Sequence, residues 1–126
     1  MKHLRIIKFA LPLFLAPLFG VGCNRSVATP VPLPVEQVPA ALQKAFDKAK
    51  PEDKDLVNQL LAALQAQDFS KAFFQMQNLA ARPGLNKEQQ SVTSRGVLTL
   101  NTLLQSAETK GDAQATETLK TYRVNK

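Results

Sequence analysis

The side chains that most often carry out chemistry in proteins are scarce in this chain of 126 residues. It contains one cysteine, Cys23, and one histidine, His3, and both lie near its start. A thiol can act as a nucleophile or as a metal ligand, but such sites need several cysteine, histidine or acidic side chains held together. We therefore expect no catalytic residues, no metal site and no cofactor in the part of the chain that follows Cys23.

Carboxylates are the remaining candidates, and three of them, Glu52, Asp53 and Asp55, are clustered at the start of a predicted helix. Acidic residues at that position stabilise the helix dipole, whereas a calcium site would need an oxygen-rich loop spacing that is absent here. The glycines beyond Cys23 are isolated, so no phosphate-binding loop is predicted. The cluster is interpreted as helix stabilisation.

The segment before Cys23 has the pattern of a secretion signal. A basic start is followed by an apolar run over residues 9–21, which is shorter than the roughly 20 residues that cross a bilayer as a helix. Pro12 and Pro17 interrupt this run further. Small residues at positions 20–22 would let a peptidase reach the bond before Cys23. We predict a signal peptide over residues 1–22.

The sequence Gly20-Val21-Gly22-Cys23 resembles the lipobox of bacterial lipoprotein signal peptides. Gly22 and Cys23 match that motif, and Gly20 stands where leucine is commonest. The resemblance implies that Cys23 carries a diacylglycerol on its thiol and a third acyl chain on its amine, which together anchor a protein stably to a membrane. Asn24 follows the cysteine, and by the same resemblance this favours the outer membrane, facing the periplasm, in a diderm bacterium.

Two other interpretations of the leader stay open. It could be an ordinary secretory signal that is cleaved before Cys23, which would leave a free thiol in an oxidising compartment. It could also be an anchor that is never cleaved. The prolines and the short apolar run disfavour a permanent membrane span.

The charge of the chain does not favour nucleic-acid binding. Three of the sixteen Lys and Arg residues precede Cys23 and all ten acidic residues follow it, so the remaining chain has a net charge of +3. Its basic residues are interleaved with acids and form no dense stripe that could neutralise a row of phosphates. We expect no nucleic-acid partner.

A proline-rich stretch follows Cys23. Pro30, Pro32 and Pro34 alternate with other residues, which excludes helix and favours the extended polyproline II conformation, at about 3.1 Å per residue. Residues 23–38 are therefore interpreted as a membrane tether and residues 39–126 as a helical domain. Such a stretch could instead be a ligand for a proline-recognising domain.

Helical periodicity without strand-like alternation continues to the end of the chain, which predicts an all-α fold, a small antiparallel bundle of four or five helices. The expected helix starts are Pro39, Pro51, Phe69 after an Asp68 cap, a capping box at Asn86 with Gln89, and Ala113 after an Asp112 cap. Gly96, in the middle of the fourth helix, predicts a point where a neighbouring helix crosses closely.

Two of the predicted helix junctions are alike. Gln67-Asp68 and Gly111-Asp112 each precede an alanine within the next helical turn, and the two aspartates lie 44 residues apart. These junctions resemble those of tetratricopeptide-type helical hairpins, whose usual repeat is about 34 residues. The resemblance implies hairpins stacked side by side, so an open repeat and a closed bundle are both possible here.

Two polar or aromatic surfaces are candidates for partner contact. One side of the fourth helix is small and polar, which predicts exposure to solvent or, alternatively, a helix or partner interface. It is formed by Ser91, Thr93, Ser94 and Thr99.

The third helix has a cluster of aromatic residues, Phe69, Phe73 and Phe74, and such a wide apolar face is usually core. Phe74 lies about 100° from the other two, so it could instead contact a partner. Its neighbours in that contact would be Gln75 and Asn78.

These patterns lead to one expectation and one alternative. The expectation is a lipid-anchored bacterial envelope protein that acts as a helical protein-interaction or structural module, with an envelope protein as its possible partner. The alternative is a small-ligand carrier, or an enzyme that uses carboxylates in a cavity between helices. A deep pocket that converges on Glu or Asp would favour the alternative, and a filled core with an apolar groove outside it would favour the module.

Overall fold

A computed structural model of the protein describes residues 29–126, and all regular structure in that range is helical. This confirms the prediction of a small all-α fold. A single 3-10 turn at Val35–Gln37 precedes five helices: α1 (Val38–Ala45), α2 (Pro51–Gln65), α3 (Phe69–Ala80), α4 (Lys87–Thr109) and α5 (Ala113–Val124). Within residues 29–126, no helix is long and apolar enough to cross a membrane. The predicted signal peptide and the predicted lipid-attachment residue Cys23 lie outside the described residues.

The helix starts follow the capping signals in the sequence. The Asp68 carboxylate accepts a hydrogen bond from the Lys71 amide at 3.0 Å, and α3 begins there. At the start of α4, the Gln89 amide donates to the Asn86 side chain at 2.8 Å and the Asn86 amide donates back to the Gln89 side chain at 3.0 Å. Each bond satisfies one of the amides that a helix start leaves free, so the predicted capping box is confirmed.

The α2–α3 and α4–α5 junctions have the same backbone geometry. In each, the amide of the capping aspartate donates to the carbonyl five residues earlier, at 3.0 Å, from Asp68 to Ala63 and from Asp112 to Ala107. This bond closes the preceding helix, while the aspartate side chain opens the next one. The likeness between the two junctions in the sequence is therefore also a likeness in structure.

The residue before each capping aspartate adopts a left-handed backbone. Gly111 has φ 88°, and at the equivalent position Gln67 has φ 56°. Glycine adopts this conformation at no steric cost, whereas a residue with a Cβ is disfavoured there by roughly 1 kcal/mol. Gln67 is therefore a locally strained position in the α2–α3 junction.

Helices α2 to α5 pack in chain order, and α3 lies against α2, α4 and α5. Helix α1 packs on α4 and touches α2 over only a short stretch. The core between them is formed by residues that are almost fully buried, the largest being Leu42, Phe46, Leu60, Phe73, Met76, Leu79, Leu100, Leu104 and Leu119. Because α1 closes onto α4 rather than α2, the seam between α1 and α2 stays open on the outside of the molecule.

Met76 of α3 packs directly on Gly96 of α4. A Cβ built on this glycine would lie 2.9 Å from Sδ of Met76 and closer still to its Cε. Met76 is fully buried, so its side chain occupies the space that any other residue at position 96 would need. The neighbouring helix at Gly96 is thus α3, and it contacts the glycine through the Met76 side chain.

The end of the proline-rich stretch is packed on the bundle. Leu33 is only 7% exposed and belongs to the core. Its carbonyl accepts a hydrogen bond from Thr99 Oγ1 at 2.6 Å, and the Val31 carbonyl accepts one from Arg95 Nε at 2.8 Å. Contacts with the bundle thus begin before Pro39, the predicted first residue of the helical domain, because alternating prolines leave the intervening apolar side chain and the carbonyls free to contact a helix.

The polar side of α4 is only partly exposed. Ser91 and Ser94 face solvent, but Thr93 is 1% and Thr99 is 6% exposed. The expectation of solvent exposure is therefore wrong for the two threonines. Each satisfies its hydroxyl within the fold, since Thr93 donates to the Gln89 carbonyl at 2.9 Å and Thr99 bonds the incoming chain.

Replacing the strained residue at the α2–α3 junction should stabilise the protein. We expect Gln67→Gly to raise the free energy of unfolding by about 0.5–1 kcal/mol, because glycine relieves the left-handed backbone. Gly111→Ala, at the matched junction, should lower it by about 1 kcal/mol. Urea unfolding followed by circular dichroism measures both, and a destabilised Gln67→Gly variant would show that the glutamine side chain has a stabilising contact.

Candidate functional site

The surface of α3 that faces away from the core carries the three residues proposed from the sequence as a partner contact. We call Phe74, Gln75 and Asn78 the Phe74 patch. Phe74 is 43% exposed, although its neighbour Phe73 is completely buried, with the two ring centroids 6.2 Å apart. Asn78 is exposed and Gln75 is partly buried. The structure therefore separates the aromatic cluster into a core residue and a surface residue.

The Phe74 patch rests on a tightly packed layer. Phe73 meets Tyr122 of α5 edge-to-face, with ring centroids 5.1 Å apart and an interplanar angle of 84°. This is the arrangement in which aromatic pairs are most favourable. Nζ of Lys126 lies 5.3 Å from the Tyr122 ring centroid. The buried Phe73 ring thus gives the exposed Phe74 a rigid support.

Gln75 connects the Phe74 patch to α2. Its Nε2 donates to Oε1 of Gln59 at 3.2 Å. Its own Oε1 is buried and accepts no hydrogen bond from any residue that the structure describes. A desolvated acceptor of this kind costs roughly 1–3 kcal/mol. The patch therefore contains an exposed ring beside an amide whose hydrogen bonding is incomplete.

A second surface feature is a groove along the open seam between α1 and α2, which we call the α1–α2 groove. It has a volume of about 400 Å³ and is lined by Val35, Pro39, Gln43, Leu61, Leu64, Gln65, Gln67 and Phe69. None of these eight residues is acidic or basic. A smaller cavity of about 220 Å³ shares Gln43 with it and includes Asp47 and Lys54.

The α1–α2 groove was not predicted from the sequence. Leu61, Leu64 and Phe69 belong to the apolar stripes that predict the core, and the structure leaves all three partly exposed at the groove. Their exposure depends on α1 packing against α4, which is a contact between distant parts of the chain. The apolar face of α2 is wider than the part of it that packs in the core. A wide apolar face of this kind is the sequence feature from which the groove could have been predicted.

The acidic cluster at the start of α2 separates into different environments. Asp53 is 8% exposed and accepts a hydrogen bond from Arg82 Nε at 2.6 Å, while Glu52 and Asp55 are exposed. The interpretation as dipole stabilisation missed this ion pair, because its partners lie 29 residues apart. Across residues 29–126, no three His, Cys, Asp or Glu side chains are grouped as a metal site would require.

No family model, no curated protein and no solved structure matches this chain. The function proposed below therefore depends on the residues of the leader and on the surfaces described above.

The Asp53–Arg82 ion pair should contribute measurably to stability. We expect Asp53→Asn to lower the free energy of unfolding by about 1–3 kcal/mol, because it leaves a partly buried guanidinium without its charged acceptor. Glu52→Gln is the matched control, since Glu52 is exposed in the same first turn of α2, and it should change stability by less than about 0.5 kcal/mol. Urea unfolding measures both, and equal effects would show that helix-dipole stabilisation, not the ion pair, is the main contribution.

Proposed function

We propose that this protein is a lipid-anchored protein of the bacterial cell envelope whose helical domain binds another protein. The observation that carries the proposal is the position of Cys23, which is the single cysteine of the chain and directly follows a basic and apolar leader with small residues at its end. Loss of the leader would place this cysteine at the new N-terminus. Its thiol and the freed amine would then take the acyl chains.

The surfaces of the described domain support the second half of the proposal. The core is filled, and apolar area remains outside it at the Phe74 patch and in the α1–α2 groove. Large aromatic side chains that are exposed on a rigid base are typical centres of protein–protein contacts. Phe74 on its buried support has this arrangement, so we place the contact with an envelope protein at the Phe74 patch.

The alternative, a ligand carrier or an enzyme that uses carboxylates, would need acidic groups that converge on a cavity. The α1–α2 groove has no Asp or Glu in its lining. A cavity of about 250 Å³ between α1 and the start of α4 is lined by Asp47 and Glu88, and both of these carboxylates are exposed to solvent. Asp53, the buried acid of α2, is occupied by Arg82. These positions favour an interaction module over acid–base chemistry.

Acylation of Cys23 is tested by growing the expressing bacterium with an alkyne-bearing fatty acid. We expect the mature protein to incorporate the label and to fractionate with membranes, and Cys23→Ser to abolish both, because serine has no thiol to modify. Asn24→Ser is the matched control and should keep the label. An unlabelled wild-type chain in the aqueous fraction, confirmed by its intact mass, would contradict the proposal.

Partner contact at the Phe74 patch is tested with a photoreactive phenylalanine analogue at position 74. On illumination of cells, we expect a discrete cross-linked product, and none from the same analogue at Thr116, which is exposed on α5. Phe74→Ala should leave the free energy of unfolding within about 1 kcal/mol of wild type, whereas Phe73→Ala should lower it by about 3–5 kcal/mol. Identical products from positions 74 and 116, or none from either, would exclude this surface.

A further inference from the structure

We infer that the anchored domain is held close to the membrane by a short leash, which is the chain between Cys23 and Val31. This inference rests on the proposed lipid attachment at Cys23. It adds to that proposal an upper limit on the distance between Cys23 and the bundle. The limit is set by the residue at which the chain first contacts the bundle.

The chain first contacts the bundle at Val31, whose side chain is 67% exposed, and is buried in it at Leu33. Arg95 Nε donates to the Val31 carbonyl at 2.8 Å, and two residues later Thr99 Oγ1 donates to the Leu33 carbonyl at 2.6 Å. The Leu33 side chain lies in the core, 7% exposed. We call these three contacts the α4 clip. They attach the carbonyls of Val31 and Leu33 to α4 and bury the Leu33 side chain in the core.

The α4 clip shortens the part of the chain that can separate the domain from the membrane. Eight residues separate Cys23 from Val31, and a chain spans at most about 3.6 Å per residue, so the two Cα atoms lie within about 29 Å whatever the conformation between them. Without the clip, a free tether ending at Pro39 would reach about 58 Å. The clip therefore halves the reach.

The maximum length of the leash can be compared with the length of the longest helix of the domain. Helix α4 has 23 residues and is thus about 35 Å long. A leash of about 29 Å is shorter than that helix, so the domain cannot move away from the bilayer by more than about its own length.

Neutron reflectometry on the acylated protein in a supported planar bilayer tests the leash by measuring how far the protein layer extends from the lipid headgroups. We expect a thin layer next to the headgroups for the wild-type chain. Insertion of eight Gly and Ser residues after Ala28 should move its outer edge outward by about 10–25 Å, since the maximum reach doubles.

Variants of the α4 clip supply the matched comparison. Leu33→Ala combined with Thr99→Val removes the buried side chain and one hydrogen bond, and should move the layer outward in the same direction as the insertion. Thr102→Val is the control, because Thr102 is an exposed threonine of the same helix that bonds only the carbonyl of its own turn. It should leave the layer unchanged. Circular dichroism of each variant checks that the helices remain folded.

The outcomes separate this inference from the proposed function. Equal layer positions for the wild-type protein and the insertion variant would overturn the leash, because the length of the chain after Cys23 would then not set the distance of the domain from the bilayer. The chain from residue 23, coupled through its Cys23 thiol to maleimide lipid, is measured in parallel. If cells produce no acylated protein but the coupled chain forms the thin layer, the proposed function is wrong and the α4 clip is supported.

Discussion

The packing of Met76 of α3 on Gly96 of α4 is the constraint on which the rest of the fold depends. The Met76 side chain fills the space left by the missing Cβ, so the interface between these two core helices depends on that position having no side chain of its own. Helix α3 then has room to contact α2 on one side and α5 on the other. Because a buried methionine adapts its shape but not its volume, a larger residue at position 96 would push α3 outward. The support that Phe73 gives to Phe74 would move with it.

The local features of this fold were predictable, and the long-range ones were not. Helix starts follow from Asp68, Asn86 and Asp112, because a cap and its amide lie within one turn of each other in the sequence. The ion pair between Asp53 and Arg82 could not be found in this way, since pairing between distant residues depends on how helices are placed. Burial of Thr93 and Thr99 was missed for a similar reason. Their polarity suggests solvent, but a threonine in a helix can satisfy its hydroxyl with a carbonyl of the preceding turn and present its methyl group to the core.

The candidate site also has one feature that local sequence predicts and others that depend on long-range contacts. Helical periodicity separates Phe74 from the core positions of α3, so its exposure could be inferred from its angle on the helix. The α1–α2 groove depends instead on α1 packing against α4, and helical periodicity does not indicate which helices pack together. The proline-rich stretch was interpreted as a tether from its composition, and the described part of it, from Val31, is attached to α4. Composition indicates the conformation of such a stretch, but not where along its length the chain meets the bundle.

The order of contacts along the chain has a consequence for how the domain acquires its structure. Helices α2 to α5 each pack on the next, so most contacts join neighbours in sequence, and folds of this kind form within microseconds to milliseconds. The pairing of α1 with α4 is the exception, because α2 and α3 lie between them. Residues 31–45 must wait for α4, so we expect them to dock last. If Cys23 is acylated as proposed, a newly exported chain would thus be loosely held at its N-terminal end at first, and docking of residues 31–45 would bring the domain closer to the bilayer.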